Sequence, residues 1–131
     1  GVPSVDLHRI SPTDVIKVGN NEIVPIRVFH GKLPILGYRI GPLAYITDCT
    51  GIADEDWKKL EGIDTLILDA LRWHPHPTHW TVEQAMEAVR RIKPRHTYFT
   101  HMSHEIGLHQ EVNQRLDDDV ELAYDGLIIN V

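Results

Sequence analysis

A chain of 131 residues, 42% hydrophobic and 24% charged, has the size and composition of one soluble globular domain with a single core. Its formal net charge of −6, with Lys and Arg scattered, argues against the broad basic face that nucleic acid needs. A phosphate-bearing substrate is still compatible, because bound cations can supply positive charge locally. No apolar run approaches a membrane span, and the lone Cys49 excludes an internal disulfide and fits a reducing, cytoplasmic setting. The opening GVPSVDLHRI lacks a basic-then-apolar leader, and Gly1 in place of Met reads as a processed or engineered start with something missing upstream.

In chain order, VDLHRI (5–10) and DVIKV (14–18) are short and β-rich, GNN (19–21) signals a turn, and EIVPIRVF (22–29) is a further strand. Pro25 inside that run points to an edge strand or a bulge. LGYRIG and LAYITD, separated by Gly41-Pro42, read as a hairpin. After Asp48 helix and strand alternate: DEDWKKLEG is a short helix closed by Gly62, and TLILD is a strand of buried type. TVEQAMEAVRRI is the clearest helix, with a Thr81/Gln84 capping box, an apolar stripe of Val82, Ala85, Met86 and Val89, and Pro94 beyond its end. RHTYFT is a strand, HEIGLHQEVNQRL a helix weakened by Gly107, and VELAY-DG-LIINV a closing hairpin. The sum is a layered α/β or α+β fold.

Nine histidines are the compositional oddity. Histidine is the commonest metal ligand and a ready proton carrier, although several of nine are expected to be plain surface residues. Four apolar runs end in a candidate ligand or acid–base group: IRVF in His30, AYIT in Asp48, TLIL in Asp69 and TYFT in His101. Functional groups of layered α/β folds gather at the carboxyl edge of the sheet, so these four are expected on one rim, with the HPHPTH loop (74–79) delivered to it after Asp69. Taken singly, a histidine after a strand is ordinarily a loop residue bonded to backbone, and an Asp in DCTG is ordinarily a turn-former. Four at successive strand ends are harder to dismiss. His30, His101 and Asp48 offer imidazole and carboxylate donors suited to Zn²⁺, Mn²⁺ or Fe, and a carboxylate can bridge two cations where an imidazole cannot.

These motifs in succession, FHG-x5-GYRIG, AYITD, LILDALR, HPTH and YFTHMSH, resemble the C-terminal half of a metallo-β-lactamase-fold hydrolase from Val24 onward. The branch they most resemble is the phosphodiesterase of phosphonate degradation and its relatives, with tRNase Z a more distant cousin. The resemblance implies that His30 ligates one metal, Asp48 bridges two, and His101 ligates the second, the ions being zinc or manganese. It also implies that His79 stands near the leaving oxygen as the catalytic group, and that Asp69 and His104 orient the ligands from behind. HPHPTH differs by one residue from the family's H-x-H-x-D-H, but that motif precedes the histidine corresponding to His30. HPHPTH follows both His30 and Asp48, and its prolines stiffen it toward an extended form. We therefore expect His74 to be exposed and His76 to be either a wall of the pocket or structural.

No H-x-H-x-D-H precedes His30. The expectation is a single partial domain over residues 1–131, one sheet and its helices from an αββα sandwich, with an apolar face left open. With only two protein donors per ion, this chain alone should hold metal weakly and be inactive. The function implied is a dinuclear metallohydrolase that uses metal-bound hydroxide on a small phosphodiester, cyclic or nucleotide-like. The rival reading is an α/β interaction module that dimerises through its open sheet, with vestigial ligands. Partners expected are the phosphoester and either a second copy or the missing N-terminal half, with no membrane or nucleic acid. A redox role for Cys49 rests on one residue.

Overall fold

Three two-residue turns fold the first half of the chain into a meander. β1 (Ile16–Val18) returns as β2 (Asn21–His30), which returns as β3 (Leu33–Ile40) and then β4 (Leu43–Ile46), each pair antiparallel. The computed structural model describes residues 2–131; Gly1 lies outside the described residues. β5 (Gly51–Ile52) adds to the far end of β2, and then the direction of pairing changes. β6 (Thr65–Asp69) lies parallel to β4, β7 (His96–Thr100) parallel to β6, and β8 (Val120–Leu122) parallel to β7. The result is one eight-stranded mixed sheet in the order β1-β2-β3-β4-β6-β7-β8, a mixed α/β fold as the sequence leads one to expect.

Pro25 sits well inside β2 without losing a ladder bond. Its carbonyl accepts from Lys59 Nζ at 2.8 Å, and the Arg27 carbonyl two residues on accepts from the Ala53 N–H at 3.0 Å. Both groups face the side of β2 away from β3, so the proline nitrogen faces that way too. β1 stops pairing there at Ile23 and β5 begins at Val28, which leaves Pro25 on a stretch of edge that no strand pairs with and that Asp56 and Lys59 cover.

The core lies on one face of the sheet. Ile26, Val28, Ala44, Ile46, Leu66, Leu68 and Phe99 are fully buried in one cluster with Val82, Ala85, Met86 and Val89 from helix α1 (Val82–Ile92). Burying each large side chain of this kind stabilises by about 1.5–3 kcal/mol. Helix α1 has the expected capping box, Thr81 accepting from the Gln84 N–H while the Gln84 side chain accepts from the Thr81 N–H, and it ends at Lys93 in the left-handed region. On the opposite face, Tyr38, Tyr45, Ile67 and Tyr98 align in register across β3, β4, β6 and β7. All four are partly accessible, with Tyr45 43% exposed.

Three expectations are corrected, the first being that VDLHRI pairs with nothing, with Val5 and Leu7 exposed. The short helix expected before Gly62 does form, as a 3-10 helix (Asp54–Leu60) held to β2 by buried Asp56, whose carboxylate accepts the Arg27 N–H and pairs with Lys59. The helix expected over 104–116 splits at Gly107 (φ 112°) into a 3-10 turn (His104–Ile106) and α2 (His109–Asn113). The DG turn forms, but 127–131 does not return as a strand, and β8 pairs parallel with β7 instead. Among the described residues no helix is long and apolar enough to cross a membrane.

Gly37 faces the packed side of β3, where an added Cβ would lie 3.0 Å from Ile46 Cγ1 and 3.1 Å from the Tyr45 carbonyl. Gly37→Ala should destabilise the protein by about 1–3 kcal/mol, read as a lower urea midpoint, because backbone as well as side chain would have to yield.

Candidate metal centre

β2, β4, β6 and β7 all run in the same direction, since β3 reverses twice between β2 and β4. Their carboxyl ends therefore meet at one edge. His30 closes β2, Asp48 follows β4 by two residues, Asp69 closes β6 and His101 follows β7. Asp48 (φ 56°) and His101 (φ 61°) both occupy the left-handed region, which costs a non-glycine residue on the order of 1–2 kcal/mol. Such strain concentrates where a side chain must be aimed against local preference.

The segment after Asp69 folds back over this edge. An isolated bridge pairs Arg72 with Thr81, the Leu71 N–H donates to the Trp80 carbonyl at 3.1 Å, and the Trp80 N–H donates to the Cys49 carbonyl at 2.8 Å. Arg72 donates to the carbonyls of His74 and Pro75 and pairs with Glu105. Gly31 (φ 62°) allows the close approach, because a Cβ there would meet Thr78 Cγ2 at 3.3 Å and the Pro77 carbonyl at 3.4 Å. The outcome is a nearly buried His79 at the centre of the histidines.

Its Nε2 is 3.4 Å from His30 Nε2, and its ring centroid is 4.9 Å from that of His30, 5.0 Å from His76 and 4.8 Å from His101. His30, Asp48 and His79 each present one donor atom within 4.8 Å of the other two, while His101 Nε2 stands 3.5 Å from Asp48 Oδ1. Behind them, fully buried Asp69 accepts the Cys49 N–H through Oδ1 at 3.0 Å. Its Oδ2 and His79 Nδ1 are buried, 3.7 Å apart and without hydrogen-bond partners. Burial, then the Asp48 charge, pushes the Asp69 carboxyl up to about 7. Burial lowers His79, helped by the imidazoles of His101, His30 and His76, so His79 favours its neutral form, the one that can bind a cation.

The structure thus brings together His30, Asp48, His79 and His101, with Asp69 against His79. His104 is exposed in its 3-10 turn and makes no side-chain hydrogen bond to these groups, and His74 is exposed. Cys49 is fully buried and its thiol is pushed up to about 12 by burial, then by Asp69, so a thiolate suited to redox chemistry does not form near neutral pH. Sequence reasoning missed Thr50, whose hydroxyl donates to the Phe29 carbonyl at 2.8 Å and accepts the Gly31 N–H at 2.9 Å, fixing the turn after His30. It also missed the Arg72–Glu105 pair; neither is marked by any local pattern.

Residues 1–102 match a profile described as the β-lactamase superfamily domain. The chain belongs to this family of metallo-β-lactamase-fold hydrolases. Among solved structures, a diphosphatase of the PhnP family superposes with a TM-score of 0.89 at 42% identity over 93% of this chain and 47% of its own. The short form of human tRNase Z (TM-score 0.68, 20% identity, 88% of this chain and 45% of its own) shares the fold. So does Zn²⁺-bound PqqB from Methylobacterium extorquens (0.67, 19%, 93% and 51%). An octanoyltransferase of Porphyromonas gingivalis is 37% identical over 97% of this chain, but the match spans 26% of that protein, most of which has no counterpart here. The chain spans about half the length of the solved structures it matches.

The raised Asp69 carboxyl has a consequence for the metal-free chain. The folded state keeps a proton that the unfolded state releases, so this group's stabilisation is complete below about pH 4 and is lost as pH rises through about 7. Asp69→Asn should abolish that part of the pH dependence. The difference in unfolding free energy between variant and wild type should grow in the variant's favour from pH 4 to 7, by at most about 1.4 kcal/mol per pH unit, and then level off. Denaturant titrations across the range measure it; a constant difference would place the Asp69 carboxyl at its ordinary value.

Proposed function

We propose that this chain is the C-terminal half of a metal-dependent phosphodiesterase acting on a small phosphoric diester, cyclic or nucleotide-like. The observation that carries the reading is the convergence of His30, Asp48, His79 and His101 on one rim, with Asp69 behind His79. The likeness to a PhnP-family diphosphatase at 42% identity supports the phosphoester class. The donor set suits divalent zinc or manganese: imidazole nitrogens and one carboxylate, with the unpartnered buried atoms Asp69 Oδ2 and His79 Nδ1 close behind them. His30 and Asp48 would hold one ion, Asp48 and His101 a second. Bound, such ions polarise a phosphoryl oxygen and lower the pKa of water.

The remaining work falls to the chain's own side chains. His79, seated between His30 and His101, gives a proton or a hydrogen bond to the departing oxygen. For the hydrogen bond the neutral ring with its hydrogen on Nε2 suffices, and for the proton the ring must first become imidazolium; buried Asp69 lies 3.7 Å behind it on the Nδ1 side. Asp69 orients and does not itself touch the substrate.

Two donors per ion fall short of the three or more that hold catalytic zinc, so the rest would come from a preceding half of the same domain. The open row of Tyr38, Tyr45, Ile67 and Tyr98 is where that half would pack. The same row favours a second reading, in which two copies pair through it as a non-catalytic module. Sedimentation of the chain with and without the preceding half separates the two. A cytoplasmic location agrees with the single buried thiol.

In the whole protein, His79→Ala should lower kcat for a phosphodiester by about 10²–10⁴-fold while metal content stays at the wild-type level. Metal lost together with activity would make His79 a ligand, and unchanged turnover would remove it from the mechanism.

A further inference from the structure

HPHPTH holds a histidine that the reading above leaves without a role. His76 is half-buried, with its ring centroid 5.0 Å from that of His79. Its Nδ1 lies 3.3 Å from the Thr78 N–H and 3.2 Å from the Thr78 hydroxyl. A backbone N–H can only donate, so Nδ1 accepts and is unprotonated. The neutral ring must then carry its hydrogen on Nε2. Among the described residues no protein group takes up that Nε2–H.

The arm that carries His76 is stiff. Pro75 and Pro77 fix the backbone on either side of it, and Arg72 grips the carbonyls of His74 at 3.3 Å and Pro75 at 3.2 Å while pairing with Glu105. A ring held in one tautomer, with a free N–H donor beside the central histidine, is arranged to meet an acceptor brought from outside. His30 and His101, by contrast, are drawn in by His79 and Asp48.

We propose that His76 binds the substrate, donating its Nε2–H to a non-bridging oxygen of the phosphoryl group. This rests on the phosphoester reading of the site. The role is in binding, so it shows in KM and in product affinity more than in kcat.

The test compares His76→Asn with His76→Gln in the whole protein. Asn keeps an acceptor near the Nδ1 position for the Thr78 N–H but has nothing at Nε2, whereas Gln reaches farther and restores a donor there. The measurements are KM for bis(p-nitrophenyl) phosphate, affinity for inorganic phosphate by calorimetry, and metal content. Losing one hydrogen bond to a charged oxygen should raise KM and the phosphate Kd about ten-fold in His76→Asn. His76→Gln should stay within about three-fold of wild type, with metal content equal in all three. Equal behaviour of the two variants, whether both normal or both impaired, overturns the proposal, as does wild-type protein that binds no phosphate. If wild type binds phosphate but hydrolyses no diester, the phosphodiesterase reading fails by itself, and the Asn–Gln difference in phosphate affinity still decides the role of His76.

Discussion

The direction in which the strands run governs everything at this site. Two hairpins bring β4 parallel to β2, and the crossovers that follow keep β6 and β7 parallel to β4. Every strand that reaches the rim from β2 to β7 ends in a donor or acid. β3 and the two-residue β5 run the other way, end at Ile40 and Ile52 away from this edge, and supply none. β8 also runs toward the rim, but it ends in Leu122 beyond the last donor, so the polar constellation stops at β7. Convergence therefore follows from topology, and the side chains need only be aimed. Asp48 and His101 achieve that through left-handed backbone, a local cost that the hydrogen-bonded loops around them sustain.

Electrostatically the rim is under-satisfied. Of the three buried side-chain polar atoms without a partner among the described residues, two are Asp69 Oδ2 and His79 Nδ1. Each such atom costs about 1–3 kcal/mol relative to a bonded one. The pair persists because Asp69 is pinned by the Cys49 N–H and His79 by the backbone bonds on either side of Trp80. Burial pushes the two groups toward their neutral forms, the carboxyl by raising its pKa and the imidazole by lowering it. An imidazole with a buried acid 3.7 Å behind it ties the packing of the β6 end to the histidines at the rim.

Features written in local patterns were legible in the sequence. Helix α1 was readable from Thr81 and Gln84 and from its apolar stripe, β6 and β7 from their runs, and His30, Asp48, Asp69 and His101 from standing where such runs end. Features that depend on a partner were not. VDLHRI and LIINV have strand-forming residues but no neighbour to pair with, and β5 is two residues whose strand character comes wholly from Phe29 and Val28. The 3-10 geometry of Asp54–Leu60 follows from bonds to β2 across some thirty positions of sequence. Within the site, the central place of His79 among the rings and the Thr78 lock on His76 depend on how a loop folds back, which spacing alone does not encode.

The two faces of the sheet differ in a way that bears on how the chain completes itself. The face under α1 is packed with Leu, Ile, Val and Phe excluded from water, whereas the other carries a cross-strand row of three tyrosines and one isoleucine, none fully buried. Tyrosine tolerates such a position because its ring packs while its hydroxyl stays wet, so the chain can fold as two layers with this face open. Those four residues lie on β3, β4, β6 and β7, and three of these strands end at the rim that bears Asp48, Asp69 and His101. A layer laid over the tyrosines would lie on strands that run up to those side chains. An uncovered face and a rim of converging histidine and aspartate side chains thus occur on the same strands.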